Sequence, residues 1–400
     1  MAPHPDLPRD TLLALCAGEL SSDQIQSLKS LSTEDWSWIE RRAKAYRLLP
    51  TLGSIFASHD DWPVPRPLRE GSRDALRQSA FRSLVMQRAL IEIGELFDAH
   101  RIAYCALKGA SLSLEFYAEP ALRPMRDLDI MVAPDQAEKA YEHLLEAGYT
   151  KLQGKGHYGM EYAHHLPPLT NADGVLLELH HRIAPREWSG SLPLGQRLLL
   201  NARPIEFQGH LVRMAHPTDT FLHLVVHASF QHLFDNGPCL LSDVSALERS
   251  GLVDHASAQS FADEHGLTPS LELIRAMSIR YGKSEANRVG THSRVPETIL
   301  DQTAKLMTQD PEQHWQRFLL RKRRSVAKRI FEGLARAFRP TEKDLAEIAQ
   351  RDVTGLEAWR YYPAWLSKRT SVYLRVEFQK GLDSEAASDA ELERWLGRPS

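Results

Sequence analysis

The chain has 400 residues, 42% hydrophobic and 25% charged, with a net charge of −3 and a pI near 6.7. This is the composition of a globular protein with two to three structural units, and it excludes a low-complexity chain or one drawn to nucleic acid by a global basic field. Three widely spaced cysteines, Cys16, Cys105 and Cys239, match no paired zinc spacing and read as small core residues of a reducing compartment.

The chain starts Met1-Ala2-Pro3-His4-Pro5-Asp6, without the basic and apolar regions of a signal peptide. No apolar run reaches bilayer length, so a cytoplasmic location without membrane contact is expected. Residues 10–100 read as helices. Ser21-Ser22-Asp23-Gln24 is a capping box ahead of Ile25, Leu28 and Leu31. Ser32 to Asp35 starts a second helix carrying Trp36, Ile39, Ala43 and Tyr46, which Pro50 stops. Helical spacing of Leu84, Ala89, Ile93, Leu96 and Phe97 spans Ser79 to His100, with Gly94 tolerated inside it. The pattern then switches. Ile102 to Leu107 is an apolar run of strand length, Gly109 to Tyr117 is helix-like, and Leu128 to Val132 is a strand. Pro134-Asp135 opens a helix burying Ala137, Ala140, Tyr141, Leu144 and Leu145, closed by Gly148. Met160–Leu166 and Val175–His181 flank Asn171-Ala172-Asp173-Gly174 and read as a hairpin. From about residue 205 helical spacing returns, over Thr218 to Leu233 and around Asp243, and continues to 382.

Chemistry concentrates between Leu107 and Val132. Asp127 and Asp129 stand two apart at a strand's start, so both point to one side while Leu128, Ile130 and Val132 enter a core. With 52 acidic residues in the chain, such a pair also arises by accident, as a solvated strand end. Glu178 adds weight: it lies in Val175-Leu176-Leu177-Glu178-Leu179-His180, a strand too apolar to hold a carboxylate that is not paired, protonated or on a metal. Three carboxylates suit Mg²⁺ or Mn²⁺ bridging a nucleoside triphosphate (NTP) and an attacking hydroxyl, with one of them free to take the proton. Lys108 and Gly109 meet the phosphate requirement, with a positive charge and a backbone that phosphate can approach, and Ser111 offers a hydroxyl.

Leu107-Lys108-Gly109, the Arg-x-x-x-Asp-x-Asp stretch from Arg123 to Asp129, the Leu-x-x-Gly-Tyr ending from Leu145 to Tyr149, and Glu178-Leu179-His180 together resemble the uncharacterised nucleotidyltransferase family of the DNA polymerase β-type superfamily. Trp36 to Pro50 resembles that family's N-terminal helix, and the His223/His227 helix with Leu241-Ser242-Asp243 its helical second half, so that the likeness spans roughly residues 30–345. By this resemblance Asp127 and Asp129 are metal ligands, Glu178 is the third carboxylate, and Lys108-Gly109 lines the phosphate end. Two departures stand out. The wider superfamily has Gly-Ser or Gly-Gly where this chain has Lys108-Gly109, and Glu178 reaches one methylene further than Asp.

Other features weigh against competing readings. Gly154-Lys155-Gly156-His157-Tyr158-Gly159 has the letters of a dinucleotide loop, but a strand-like run follows where a capped helix is needed. It reads as a loop, able to close over a nucleotide. His223 and His227 have zinc-compatible spacing, yet without an intervening Glu or a cysteine pair a packed histidine pair fits better. His164, His165, His180 and His181 lie on the hairpin, and His180 shares a face with Glu178, as an accessory group or to orient that glutamate. Arg123 and Arg126 either neutralise departing phosphates or pair with the acidic strand end. Arg317 to Arg339 is a basic amphipathic helix, either a solvated face or a patch for an acidic partner.

The expected fold is α/β plus helical: a small mixed nucleotidyltransferase sheet at 101–205, between a helical region at 1–100 and another at 206–382, with an acidic tail at 383–400. The expected reaction transfers a nucleoside monophosphate (NMP) from an NTP to a hydroxyl-type acceptor on a small molecule, peptide or protein, and releases pyrophosphate. The alternatives are a tRNA-modifying or toxin-like nucleotidyltransferase and a non-catalytic partner that keeps the fold. The sequence leaves the acceptor open.

Overall fold

The computed structural model describes residues 6–152, 163–184, 188–282, 295–310, 340–351, 353–368, 389 and 391–397. The loop Gly154–Gly159 and the basic segment Arg317–Arg339 lie outside these residues, as does most of the tail.

Four short helices lead the chain: α1 (Leu7–Ala17), α2 (Ser22–Leu28), α3 (Thr33–Ala45) and α4 (Leu49–Ala57). The capping boxes at Ser21 with Gln24 and at Ser32 with Asp35 are both formed, which satisfies amide groups that a helix start leaves without partners. Pro50 acts differently from expectation. α3 ends earlier, where Arg47 turns left-handed at φ 57° and the Leu48 N–H bonds back to the Ala43 carbonyl. Pro50 then sits in the first turn of α4, where its missing N–H costs nothing. The next helix, α5 (Arg66–Ala99), begins well before the expected Ser79. Gly94 belongs in it because a β carbon there would strike the Tyr104 hydroxyl, which accepts a bond from the Arg213 N–H at 3.2 Å.

The α/β region follows as β1 (Tyr104–Ala106), α6 (Lys108–Glu115), β2 (Asp127–Val132), α7 (Ala137–Glu146), β3 (Thr150–Lys151), β4 (Leu169–Thr170), β5 (Leu176–His180), α8 (Ser191–Leu200), β6 (Arg203–Phe207) and β7 (His210–Met214). Among the described residues these strands form one sheet in the order β3-β4-β5-β2-β1-β7-β6. The pairs β2–β5 and β1–β7 are parallel and the others antiparallel, the mixed sheet expected. Two details depart from the sequence reading. The first hairpin strand is Leu169–Thr170; residues 160–162 of the upstream run lie outside the described residues, and its remainder meets β5 at an isolated bridge between His165 and His180. The β6–β7 hairpin was missed, so residue 205, taken as the end of the core, falls inside β6.

Helices then dominate: α9 (Pro217–Val226), a π-helical turn at His227–Gln231, α10 (Cys239–Ser250), α11 (His255–Glu264), α12 (Thr268–Tyr281), α13 (Glu297–Met307), α14 (Glu342–Ala349) and α15 (Gly355–Ala358). None of the helices in the described residues is long and apolar enough to cross a membrane.

Alternation along the strands sorts side chains into two cores. Tyr104, Ala106, Leu128, Ile130, Val132, Leu177 and Leu179 pack under α5 and α7 with Met86, Leu90, Ile93, Phe97, Ala140 and Leu144. Cys105, Leu107 and Met131 face the other way, into a larger core that also holds Leu12, Leu13, Ile39, Leu52, Leu198, Phe221, Leu241 and Ile274. Helices from both ends of the chain therefore share one core across the second face of the sheet, and do not form separate N- and C-terminal layers.

Candidate active site

The register of β2 on β5 sets Asp129 beside Glu178 and Asp127 beside Leu176. Asp127, Asp129 and Glu178 project from the face opposite α5 and floor a cavity of about 700 Å³. Lys108 and Gly109 close one end, and the segment Arg123–Arg126 forms a lip. The roof comes from Tyr46 and Arg47 between α3 and α4, and from His227, His232, Asn236 and Asp243 around the start of α10.

The two aspartates sit in different environments. Asp129 is buried, and its Oδ1 accepts from His180 Nε2 at 2.8 Å and lies 3.3 Å from Lys108 Nζ. Burial alone would raise its pKa, but Lys108 and the His180 hydrogen bond outweigh burial and hold it well below the ordinary carboxylate value. Asp127 lies at the open strand end. Burial and the charges of Asp129 and Glu178 push its pKa up to about 6, against the pull of Lys108 and Arg126. Glu178 Oε2 is 3.8 Å from His180 Nε2 and 4.0 Å from His165 Nε2.

The donor set fits a divalent cation. Ligand atoms of Asp129, Glu178 and His180 all lie within 4.8 Å of one another. Asp127, expected as a ligand, stands outside that cluster, because its partner in the register is Leu176, one step nearer the open end. His180 occupies the third position, the accessory place that the sequence allowed it, and its hydrogen bond goes to Asp129, where the other reading had it orient Glu178. Oxygen donors suit Mg²⁺, and an imidazole beside them also suits Mn²⁺.

Of the residues expected at the phosphates, Lys108, Gly109, Arg123 and Arg126 line the cavity. Lys108, the first residue of α6, has φ 40°, a conformation uncommon for a residue with a β carbon and typical of functional sites. Gly109 permits a close approach: a β carbon there would lie 2.9 Å from Met125 Cγ and 3.7 Å from Arg123 Nη1. Ser111 does not reach the cavity. It lies half a turn further into α6, fully buried, with its hydroxyl 3.4 Å from Glu115 Oε2.

Arg123 makes the ion pair the sequence allowed, but to an unexpected partner. Its Nε and Nη2 donate to Asp243 Oδ1 and Oδ2 of α10 at 2.7 and 2.9 Å, and the Tyr117 hydroxyl donates to the same carboxylate at 2.7 Å. Burial opposes the guanidinium charge, yet Asp243 outweighs it and keeps the Arg123 pKa well above the ordinary value. Arg126 is exposed and has no ion pair among the described residues. His223 and His227 are 6.5 Å apart between ring centroids, both with pKa values lowered well below normal by burial and by Lys108. Neither joins a metal-ligand cluster among the described residues. Cys239 also lines the cavity, where burial, opposed by Arg123 and aided by Asp243, pushes its thiol up to about 12 and leaves it unreactive at neutral pH.

Several cavity residues were not found from the sequence: Arg47, Asn236 and the role of Asp243. The last left a signal, an acid inside the apolar helix Leu241–Leu247. Asn236 follows a π-turn and two successive left-handed residues, Leu233 (φ 47°) and Phe234 (φ 61°), and Arg47 lies in the α3–α4 turn; none of these leaves a periodic mark in the sequence.

A mixed sheet with carboxylates on two adjacent parallel strands, facing the start of a helix, is the arrangement expected of a nucleotidyltransferase core. A family model described as an uncharacterised nucleotidyltransferase matches residues 32–281, more than half of the chain, and the chain belongs to that family. The match takes in the whole cavity, roof included, and ends at Tyr281, short of the 345 expected from the resemblance. No curated protein matches the chain.

Proposed function

We propose that the protein transfers a nucleoside monophosphate from an NTP to a hydroxyl-bearing acceptor. The observation that carries this reading is the β2–β5 register, which sets Asp129 against Glu178 with Asp127 beside them in a cavity bordered by Lys108, Gly109 and Arg126. A divalent cation held by Asp129 and Glu178, with Asp127 or His180 completing its shell, would offset triphosphate charge and make the acceptor hydroxyl more acidic. Lys108 and the first-turn N–H groups of α6 bind phosphate oxygens, since the start of a helix leaves those donors without partners. His180 holds Asp129 in position through its Nε2 bond. In the transfer, the acceptor oxygen bonds to the α-phosphorus and the α–β bridging bond breaks. Pyrophosphate leaves with that electron pair. The hydroxyl proton passes to a floor carboxylate, and Glu178 is placed for this because, unlike Asp129, it is not engaged by Lys108.

The test is calorimetric binding of each NTP with Mg²⁺ or Mn²⁺, on wild type beside Asp127→Asn/Asp129→Asn. Binding that needs both metal and aspartates supports the reading. A folded wild type that binds no NTP with either metal would overturn it.

A further inference from the structure

We propose that Arg47, in the turn between α3 and α4, forms with Arg126 a subsite for the two terminal phosphates of the NTP and for the pyrophosphate they become. This rests on the nucleotidyltransferase reading and identifies which part of the substrate the helical roof holds.

Four cations border the cavity, and two already have partners. Arg123 is clamped to Asp243, and Lys108 lies on Asp129. Arg47 and Arg126 make no ion pair and no side-chain hydrogen bond among the described residues. Their lack of partners is not a general property of this surface. On the same helix end, Lys44 pairs with Glu40 at 2.6 Å and Arg42 with Asp310 at 2.9 Å.

The backbone adds a second, independent observation. Arg47 occupies the left-handed position that ends α3, with φ 57°, where glycine is the ordinary residue and a β carbon is strained. The turn is also held firmly. The Tyr46 hydroxyl donates to the Gln309 carbonyl at 2.9 Å, and Gly237 packs against the Tyr46 ring. A strained arginine on a fixed turn, lining a carboxylate-floored cavity, is the pattern of a binding residue kept against its own local preference.

The electrostatics agree. Burial, with the like charges of Arg126 and Arg123, pulls the Arg47 pKa down to about 10, against the opposing effect of Asp127. A polyanion lying between these guanidiniums would remove that repulsion, and Arg presents the planar fork that suits phosphate oxygens. A second hollow of about 310 Å³ adjoins on the far side of Arg47, with Arg82 on its rim. Positive charge therefore continues outward from the carboxylates in this direction, which orients the γ-phosphate toward the α3–α4 turn.

The test compares Mg²⁺-dependent binding of NTP, the matching NMP and inorganic pyrophosphate by wild type, Arg47→Gly, Arg47→Ala and Arg47→Lys. Glycine relieves the backbone strain, so Arg47→Gly is expected to melt at or above the wild-type temperature while its NTP and pyrophosphate affinities fall at least about tenfold. NMP affinity is expected to stay within about twofold, and lysine to recover part of the loss. An NTP-to-NMP affinity ratio unchanged in the glycine and alanine variants overturns the subsite and leaves the proposed function standing. Pyrophosphate binding that depends on Arg47 in a protein without NTP binding does the reverse. A wild type that binds neither NTP nor pyrophosphate removes both.

Discussion

The cavity has a floor and a roof that are built by different rules. The floor needs only local geometry: a period of two along β2 and one strand register bring Asp127, Asp129 and Glu178 to one face. The roof needs segments far apart in the chain. The α3–α4 turn, the π-turn after α9 and the start of α10 meet above the sheet because helices from both ends share one core. Carboxylates that can bind metal are thus supplied by short-range order, and the cations and the shape above them by tertiary packing.

The largest effect is expected on the floor. Asp129→Asn removes the charge that faces Glu178 and His180, and pyrophosphate release from NTP is expected to fall by at least about 10³-fold with the fold intact. Steady-state release measured with Mg²⁺ and with Mn²⁺ checks this. Turnover within a few fold of wild type would place the chemistry elsewhere.

Next come two ties that fix the roof. Arg123 belongs to the lip ahead of β2 and Asp243 to α10, so their two-pronged pair joins the layers. Asp243→Ala strands a buried guanidinium and the Tyr117 hydroxyl, and is expected to cost about 3–5 kcal/mol in denaturant unfolding. Replacing both Arg123 and Asp243 with leucine should recover part of that cost, since no buried charge is then left alone. The second tie is Gly237, at φ 96°, whose added β carbon would run into the Tyr46 ring. Gly237→Ala combines a disfavoured backbone with a rigid clash, and about 2–4 kcal/mol of destabilisation is expected by the same measurement. A cost below about 1 kcal/mol would mean that this part of the roof adjusts freely.

The same division decides what the sequence discloses. Capping boxes, the α5 stripe from Ala89 to Phe97, the α7 stripe and the alternation in β5 are local patterns, and they appear in the structure, while Leu84, expected in the α5 stripe, is exposed. The β6–β7 hairpin escaped because its burial is shallow: in Arg203–Phe207 no residue is fully buried, so there is no strong apolar alternation to read. His180 was placed on the correct face, but which carboxylate it bonds depends on side-chain packing between strands, which periodicity does not encode. Ser111 failed for a similar reason. Its hydroxyl suits phosphate, but the packing of α6 turns it inward to Glu115. Arg47 carried no sequence mark because its role depends on where a turn lands after two cores have formed.

The smallest expected effect separates two neighbours on the floor itself. In protein stripped of metal, the Asp127 carboxyl is held up at about 6, so the folded state binds its proton more tightly than the unfolded chain does. Folding stability from this group is therefore highest in acid, falls as pH rises from about 4 to about 6, and stays low above that. Asp127→Asn removes the penalty, and should stabilise the metal-free protein at pH 7 by about 1–2 kcal/mol, with the gain vanishing near pH 4. Asp129 has the opposite sign. Its lowered pKa contributes stability above the ordinary carboxylate value and loses it as pH falls, so Asp129→Asn should destabilise at pH 7. Thermal melts of the two variants across pH 4–8 in chelator read both signs at once. Adding Mg²⁺ or Mn²⁺ should stabilise the wild type and erase the advantage of Asp127→Asn, because a cation at the carboxylates cancels the repulsion from which that advantage arises. If both variants shift stability in the same direction, the two aspartates share one environment, and the division between a clamped ligand and a strained one does not hold.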